Sequence, residues 1–178
     1  MSWYVLHCRN GQEEAIIHSC RKHLSEKATE DIFCFSHERI KKYLGKWHRE
    51  VSPMFPGYVF FQSSCPELLS EELEAYREIA DILEQEKKLL PVRPKEEQCL
   101  TMLCGPKHHL ELSRVSVQDR KIEVLDGPLS QREDMVLKWD LHKRVAVLDC
   151  RITADGKNIW AGIDIMTDVL PNGTGSAG

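Results

Sequence analysis

The sequence predicts an α+β domain followed by a small all-β barrel, and three observations predict it. Strand-like and helix-like stretches alternate up to about Cys104, which argues for a mixed layer of sheet and helix. A Gly105-Pro106 step then interrupts the chain and marks the best domain boundary. Beyond it, short β-rich runs are separated by turn residues at close spacing, the pattern of a small barrel. The 178 residues suffice for one ordinary domain or two small ones.

The first predicted strand is Trp3–Cys8, aromatic and β-branched with no breaker. Asn10-Gly11 ends it. Asn10 can cap the next helix, with Glu13 three residues later as in a capping box. That helix is predicted over Gln12–Leu24, since Ile16, Cys20 and Leu24 form one apolar stripe. A second strand is predicted at Asp31–Ser36. The charged stretch His37–Val51 reads as a two-stranded ribbon with basic arms turning at Gly45.

Val51–Gln62 is the centre of the first domain. Pro53 and Pro56 cannot donate to a sheet ladder. Gly57 permits a turn or a close approach, and Tyr58-Val59-Phe60-Phe61 follows as a strand buried on both faces. Alternation puts Val59 and Phe61 on one face, expected to meet the helices, and Tyr58 and Phe60 on the other. Pro66 opens a second helix. Periodicity carries it to Gln85; the alternative is a helix ending near Arg77 and a strand over Ile79–Glu84. Leu90–Pro94 reads as an extended linker and Lys95–Cys104 as a short helix.

In the second domain the predicted strands are Lys121–Leu125, Met135–Trp139, Arg144–Cys150, Ile159–Ile163 and Met166–Leu170. The turns fall at Asp126-Gly127-Pro128, Asp140–Lys143 and Ala154–Asn158. The expected division is residues 1–105 for the first domain, 106–113 for a linker, 114–171 for the barrel and 172–178 for a Gly/Ser-rich disordered tail.

Composition excludes several classes. No apolar run approaches the ~20 residues that span a bilayer, and the first residues do not form a secretory signal. A cytoplasmic location without a membrane partner is therefore expected, and the chain is expected to act as a monomer. The net charge of −4 argues against nucleic-acid binding through bulk charge, so any such contact needs a local patch. The seven cysteines include no C-x-x-C pair, which argues against a disulfide framework in a reducing compartment and against structural zinc. His18 and His23 lie five apart on the predicted helix, off the spacing of a helical metal pair. His7 and Cys8 are strand neighbours pointing to opposite faces, so an activated thiol is not expected. No cofactor, metal or enzymatic activity is expected.

Two stretches resemble the NusG family of transcription factors. Trp3-Tyr4-Val5-Leu6 with Asn10-Gly11, together with Phe55-Pro56-Gly57-Tyr58-Val59-Phe60, is similar to the family's N-terminal (NGN) domain. Ile122–Leu129 followed by Asp140, Lys143-Arg144 and Val145 is similar to a KOW motif. Departures stand at Gln131 and Asp134, where the KOW turn usually carries glycines, and at Ile79-Ala80-Asp81. Leu129 and Trp139–Arg144 look closest to the antiterminator subfamily called LoaP.

The resemblance implies an antiparallel sheet flanked by helices, then an SH3-like KOW barrel. It implies docking on the clamp helices of RNA polymerase through Trp3, Tyr4, Phe55, Pro56, Tyr58 and Phe60. It implies that the barrel binds a hairpin in the nascent transcript. Lys138, His142, Lys143 and Arg144 around one turn are the candidate RNA contacts, with Lys121, Arg132 and Arg151 beside them. The basic ribbon at residues 37–51 is a candidate contact to DNA near the polymerase cleft. Two other readings stay open. One is a general elongation or termination factor whose KOW domain binds Rho or a ribosomal protein. The other is a ribosome-associated RNA-binding protein.

Overall fold

A computed structural model describes residues 2–76, 89–151 and 156–166. The first sheet has strand order β2-β5-β1-β6, built from β1 (Ser2–His7), β2 (Asp31–Phe33), β5 (Tyr58–Ser63) and β6 (Leu90–Pro91). β5 pairs antiparallel with β1 and β2, setting Tyr4 opposite Phe61 and Ile32 opposite Phe61 across the two ladders. Helices α1 (Glu13–His23) and α2 (Pro66–Ala75) belong with one face of this sheet. There Leu6, Val59 and Phe61 share a core with Ile16, Ile17, Cys20, Leu69 and Leu73. The alternation expected for Val59 and Phe61 is the one observed.

Several local expectations need correction. Asn10 does not cap α1; the cap position is Gln12, without a side-chain hydrogen bond. Glu13 is buried, and its Oε1 accepts the Gly57 amide at 2.6 Å. The carboxylate meant for a capping box instead fastens the Pro56-Gly57 turn. Gly57 has φ +83°, and a Cβ there would lie 2.7 Å from Asn10 Oδ1, so Asn10 packs against the turn. The second strand stops at Phe33, and a new one starts at Ser36. The stretch Leu90–Pro94 is more than a linker: Leu90 and Pro91 pair with Val5 and Tyr4 as the edge strand of the sheet, and Pro94 opens helix α3 (Pro94–Cys104). Helix α2 ends at Ala75, with Tyr76 already extended. Residues 79–84, the stretch beyond Met166 and the 172–178 tail lie outside the described residues.

The ribbon is a long hairpin, β3 (Ser36–Tyr43) and β4 (Lys46–Pro53), in register from Ser36–Pro53 to Tyr43–Lys46. Its two-residue turn puts Leu44 at φ 51°, the left-handed geometry that suits the twist of the strands. A third strand, β7 (His109–Leu110), runs parallel to the start of β3. The residues after Cys104 therefore return to the ribbon before the second lobe begins.

The second lobe is a curled, barrel-like sheet ordered β10-β11-β12-β8-β9. It comprises β8 (Ser113–Gln118), β9 (Lys121–Asp126), β10 (Val136–Asp140), β11 (Val145–Arg151) and β12 (Asn158–Ile165). Four strands match the expected ones. β8 is additional, and it pairs parallel with β12 at Ser113–Ile163.

The two lobes share one apolar core. Trp3, Val5, Phe35, Phe55 and Phe60 from the first sheet and its surroundings join Leu100 and Leu103 of α3, and continue into Val115, Leu129, Leu148 and Ile163 of the second. His108 lies flat on Phe33, with ring centroids 3.5 Å apart, and burial lowers its pKa. A disulfide joins Cys99 of α3 to Cys150 of β11, Cα to Cα 6.7 Å. The pair is 51 residues apart in sequence, so only tertiary folding brings it together; Cys8, Cys20, Cys34, Cys65 and Cys104 are free thiols, and one bridge is not the framework that cysteine spacing argued against.

A candidate nucleic-acid interface

The ribbon emerges because charged residues alternate with few apolar ones along β3 and β4. Only Ile40 and Glu38 of β3 are buried. Glu38 holds the base of the ribbon. It is 7% exposed, accepts two hydrogen bonds from Arg49 at 2.6 Å and accepts the Leu112 amide at 2.8 Å. Burial alone would raise its pKa; the Leu112 amide and Arg49 outweigh burial, and the net shift is downward.

Toward its tip the ribbon is aromatic and cationic. Tyr43 stacks on His48 with centroids 3.7 Å apart. Lys42 lies over Trp47 at 5.7 Å. Lys41 pairs with Glu50 at 2.9 Å. The barrel supplies the opposite wall through the turn after β10. There Arg144 lies over Trp47 at 4.1 Å and pairs with Asp164 at 3.1 Å. Lys143 lies over Trp160 at 5.5 Å, and its amide is held by Asp140 Oδ1 at 2.9 Å. Between the walls is a cleft of about 580 Å³ that includes Lys41, Lys42, Trp47, His142 and Lys143.

A second cleft, of about 540 Å³, opens beside it, with Met54, Phe55, Leu137, Val147 and Ile159 on its apolar walls. Arg39 lines both clefts and lies 5.7 Å from the Trp160 ring. Its Nε is buried without a hydrogen bond among the described residues, and burial lowers its pKa. His37 sits beside it. Burial pushes its pKa down to about 4, and neighbouring Arg39 adds to the shift. Nε2 is 3.1 Å from Ser52 Oγ. The Trp160 backbone opposes the shift, and Nδ1 is buried without a hydrogen bond among the described residues.

Close approach of the lobes depends on Gly162. A Cβ there would overlap the Glu38 carbonyl and stand 2.6 Å from Leu112 Cδ2.

The family model described as NusG, transcription termination factor nusG, matches residues 1–100. The chain belongs to the NusG family. Family members are transcription factors without enzymatic activity, and they bind RNA polymerase. A solved structure of NusG from Thermotoga maritima, described by its domain interaction, aligns with 16% identity and a TM-score of 0.42, covering 90% of this chain and 93% of that one. No curated protein matches the chain. Among the described residues no helix is long and apolar enough to cross a membrane, and no group of His, Cys, Asp and Glu could hold a metal ion.

Within this NusG-family chain the residues expected at the polymerase fall into two groups. Trp3, Phe55 and Phe60 are buried in the core beneath α3 and the barrel. Pro56 is exposed, and Tyr4 and Tyr58 are half-buried. Tyr4 packs on the α1 and α2 side, whereas Tyr58 packs toward the other core, with its ring 5.0 Å from His7. The six do not form one open face.

The residues expected at RNA also divide. His142 and Lys143 line the ribbon cleft, while Arg144 is half-buried in its ion pair and ring contact. Arg132 Nη1 donates to the Pro128 and Ser130 carbonyls. Lys138 is exposed on β10, Lys121 lies at the tip of the β8–β9 hairpin, and Arg151 lies at the far end of β11 from the 141–144 turn. Arg39, Lys41, Lys42 and Trp47 fall within the ribbon 37–51 that the sequence marked as a whole, without being singled out. Trp160 was not marked at all; nothing in the local sequence around it signals a ligand platform.

Proposed function

We propose that the chain is a specialised NusG-type elongation factor that acts as a processive antiterminator, bound to RNA polymerase through its first domain and to a nascent RNA hairpin through its barrel. One observation carries the reading: the turn holding His142 and Lys143 meets a ribbon bearing Lys41, Lys42 and Trp47 across one cleft. Clustered cations hold phosphates, and exposed aromatics stack on bases. A local patch of this kind supports RNA binding despite the net charge of −4. Lys143 serves as a phosphate contact. Arg144, tied to Asp164 and Trp47, positions the turn.

The division proposed is residues 1–105, a linker at 106–113 and a KOW domain at 114–171. Polymerase docking rests on Pro56 and Tyr58 at the surface, with Trp3, Phe55 and Phe60 holding the strand rigid behind them; Tyr4 lies on the other side of the sheet, toward α1 and α2. An aromatic fixed on a strand contributes interface energy at low entropy cost, and truncating a central one costs about 2 kcal/mol or more.

Transcription through a terminator, with and without an upstream hairpin, tests the reading. Readthrough is expected only with both protein and hairpin, and Tyr58→Ala should remove both readthrough and clamp-helix binding. Readthrough independent of the hairpin overturns the RNA role. The matched family is described as a termination factor, which favours a second reading: a general factor whose barrel binds Rho or a ribosomal protein. A pull-down with the full chain that recovers such a protein, and no RNA, supports that alternative.

A further inference from the structure

We infer that the groove between ribbon and barrel takes the single-stranded loop of an RNA hairpin, with one unpaired base seated in the apolar cleft beside Arg39 and the adjacent phosphates on Lys41, Lys42 and Lys143. The inference rests on the RNA reading above and moves the site. Recognition belongs to both lobes jointly, and the ribbon serves RNA instead of DNA.

Four observations converge on it. First, the cleft flanked by Met54, Phe55, Leu137 and Ile159 has a volume of about 540 Å³, within the roughly 300–1,000 Å³ of small-ligand sites. Leu137 is 57% exposed at its edge, an apolar side chain left without cover.

Second, the cleft ends at Trp160, which is 40% exposed and has Arg39 and Lys143 near its ring. An aromatic beside cations suits a stacked base and its phosphate together. Third, Arg39 lines both clefts, which places a guanidinium where the two meet, and its Nε is buried without a partner among the described residues. Fourth, the neighbouring cleft is cationic along Lys41, Lys42 and Lys143, with His142 beside them. No carboxylate lines it among the described residues, and those next to its cations are engaged: Glu50 pairs with Lys41, Asp140 accepts the Lys143 amide and Asp164 pairs with Arg144.

The arrangement suits a loop better than a duplex. A-form RNA hides its base edges in a deep, narrow major groove, whereas loop bases can be splayed out and stacked. An apolar peptide anchor would fit the first cleft, but the cations bordering it match a polyanion.

The test uses the full chain and a pool of RNA hairpins with one fixed stem and a randomised loop. Hairpins selected for binding are compared by fluorescence anisotropy with the same hairpins carrying an abasic loop position, and with their DNA counterparts. The inference expects a loop preference, an affinity loss of about tenfold or more at one abasic position, and weaker DNA binding. Arg39→Ala and the surface change Leu137→Glu should bind intact and abasic hairpins alike. Thermal unfolding of each variant separates this from loss of fold, and Leu137→Glu leaves the core untouched.

Full loop discrimination by both variants overturns the groove assignment. So does equal binding of DNA. Binding that ignores the loop yet falls with Lys143→Ala overturns it too, while leaving the RNA reading in place. Binding to no hairpin overturns both.

Discussion

Glu38 shows how much one carboxylate can carry. It joins the ribbon arm at Arg49 to the chain entering the barrel at Leu112. Hydrogen bonds to a charged group contribute about 1.5–3 kcal/mol, so Glu38→Gln should lower stability by an amount in that range. The folded pKa is depressed, so the unfolded chain binds more protons. The contribution is complete above the ordinary carboxylate pKa and is lost as pH falls through the lowered one. His37 acts in the same direction over a higher window, since its pKa falls from 6.5 to about 4 and its neutral form is the folded one. Urea unfolding of wild type and Glu38→Gln, at neutral pH and below the carboxylate range, measures the Glu38 share. The gap between the two proteins should close on acidification; a gap constant with pH would show that the charge of Glu38 does not matter.

Among the elements, β12 and β3 make the contact on which the site depends, and Gly162 sets how closely they approach. Gly162→Val should cost about 1–3 kcal/mol by overpacking, because a backbone carbonyl stands in the way and cannot rotate aside. Limited proteolysis across residues 105–112, together with a thermal melt, reads the outcome. An unchanged melt and cleavage pattern would deny the contact its energetic weight. The ribbon, most strands and α3 were legible in the residues because strand alternation, the apolar side formed by Cys99, Leu100, Leu103 and Cys104, and turns at Gly45 and Gly127 are local signals. β8 was missed because Val115 and Val117 alternate with polar residues over a run too short to stand out between the linker and the Asp119-Arg120 turn. Of the site, Lys143 and His142 were found as exposed charge. Trp160 was not, since its role comes from Arg39, more than a hundred residues earlier in the chain. Asn10 misled because a capping pattern says nothing about a distant amide competing for Glu13.

For the whole molecule, the shared core means that the lobes unfold together. The Cys99–Cys150 link strengthens this, as a cross-link closing a loop of that length stabilises by roughly 4 kcal/mol, chiefly by restricting the unfolded chain. Reductant should therefore lower the urea midpoint of wild type and leave Cys99→Ser unmoved. Equal midpoints for wild type with and without reductant would mean that the thiols are unlinked in solution. The path between the lobes has a further consequence. His108 is stacked on Phe33, β7 is paired to the ribbon, and only Glu111 and Leu112 separate β7 from β8. So short a path, fastened to the ribbon and continuous with the shared core, sets ribbon and barrel as two fixed jaws. A partner that fits between them would meet both at once and lose little to ordering them.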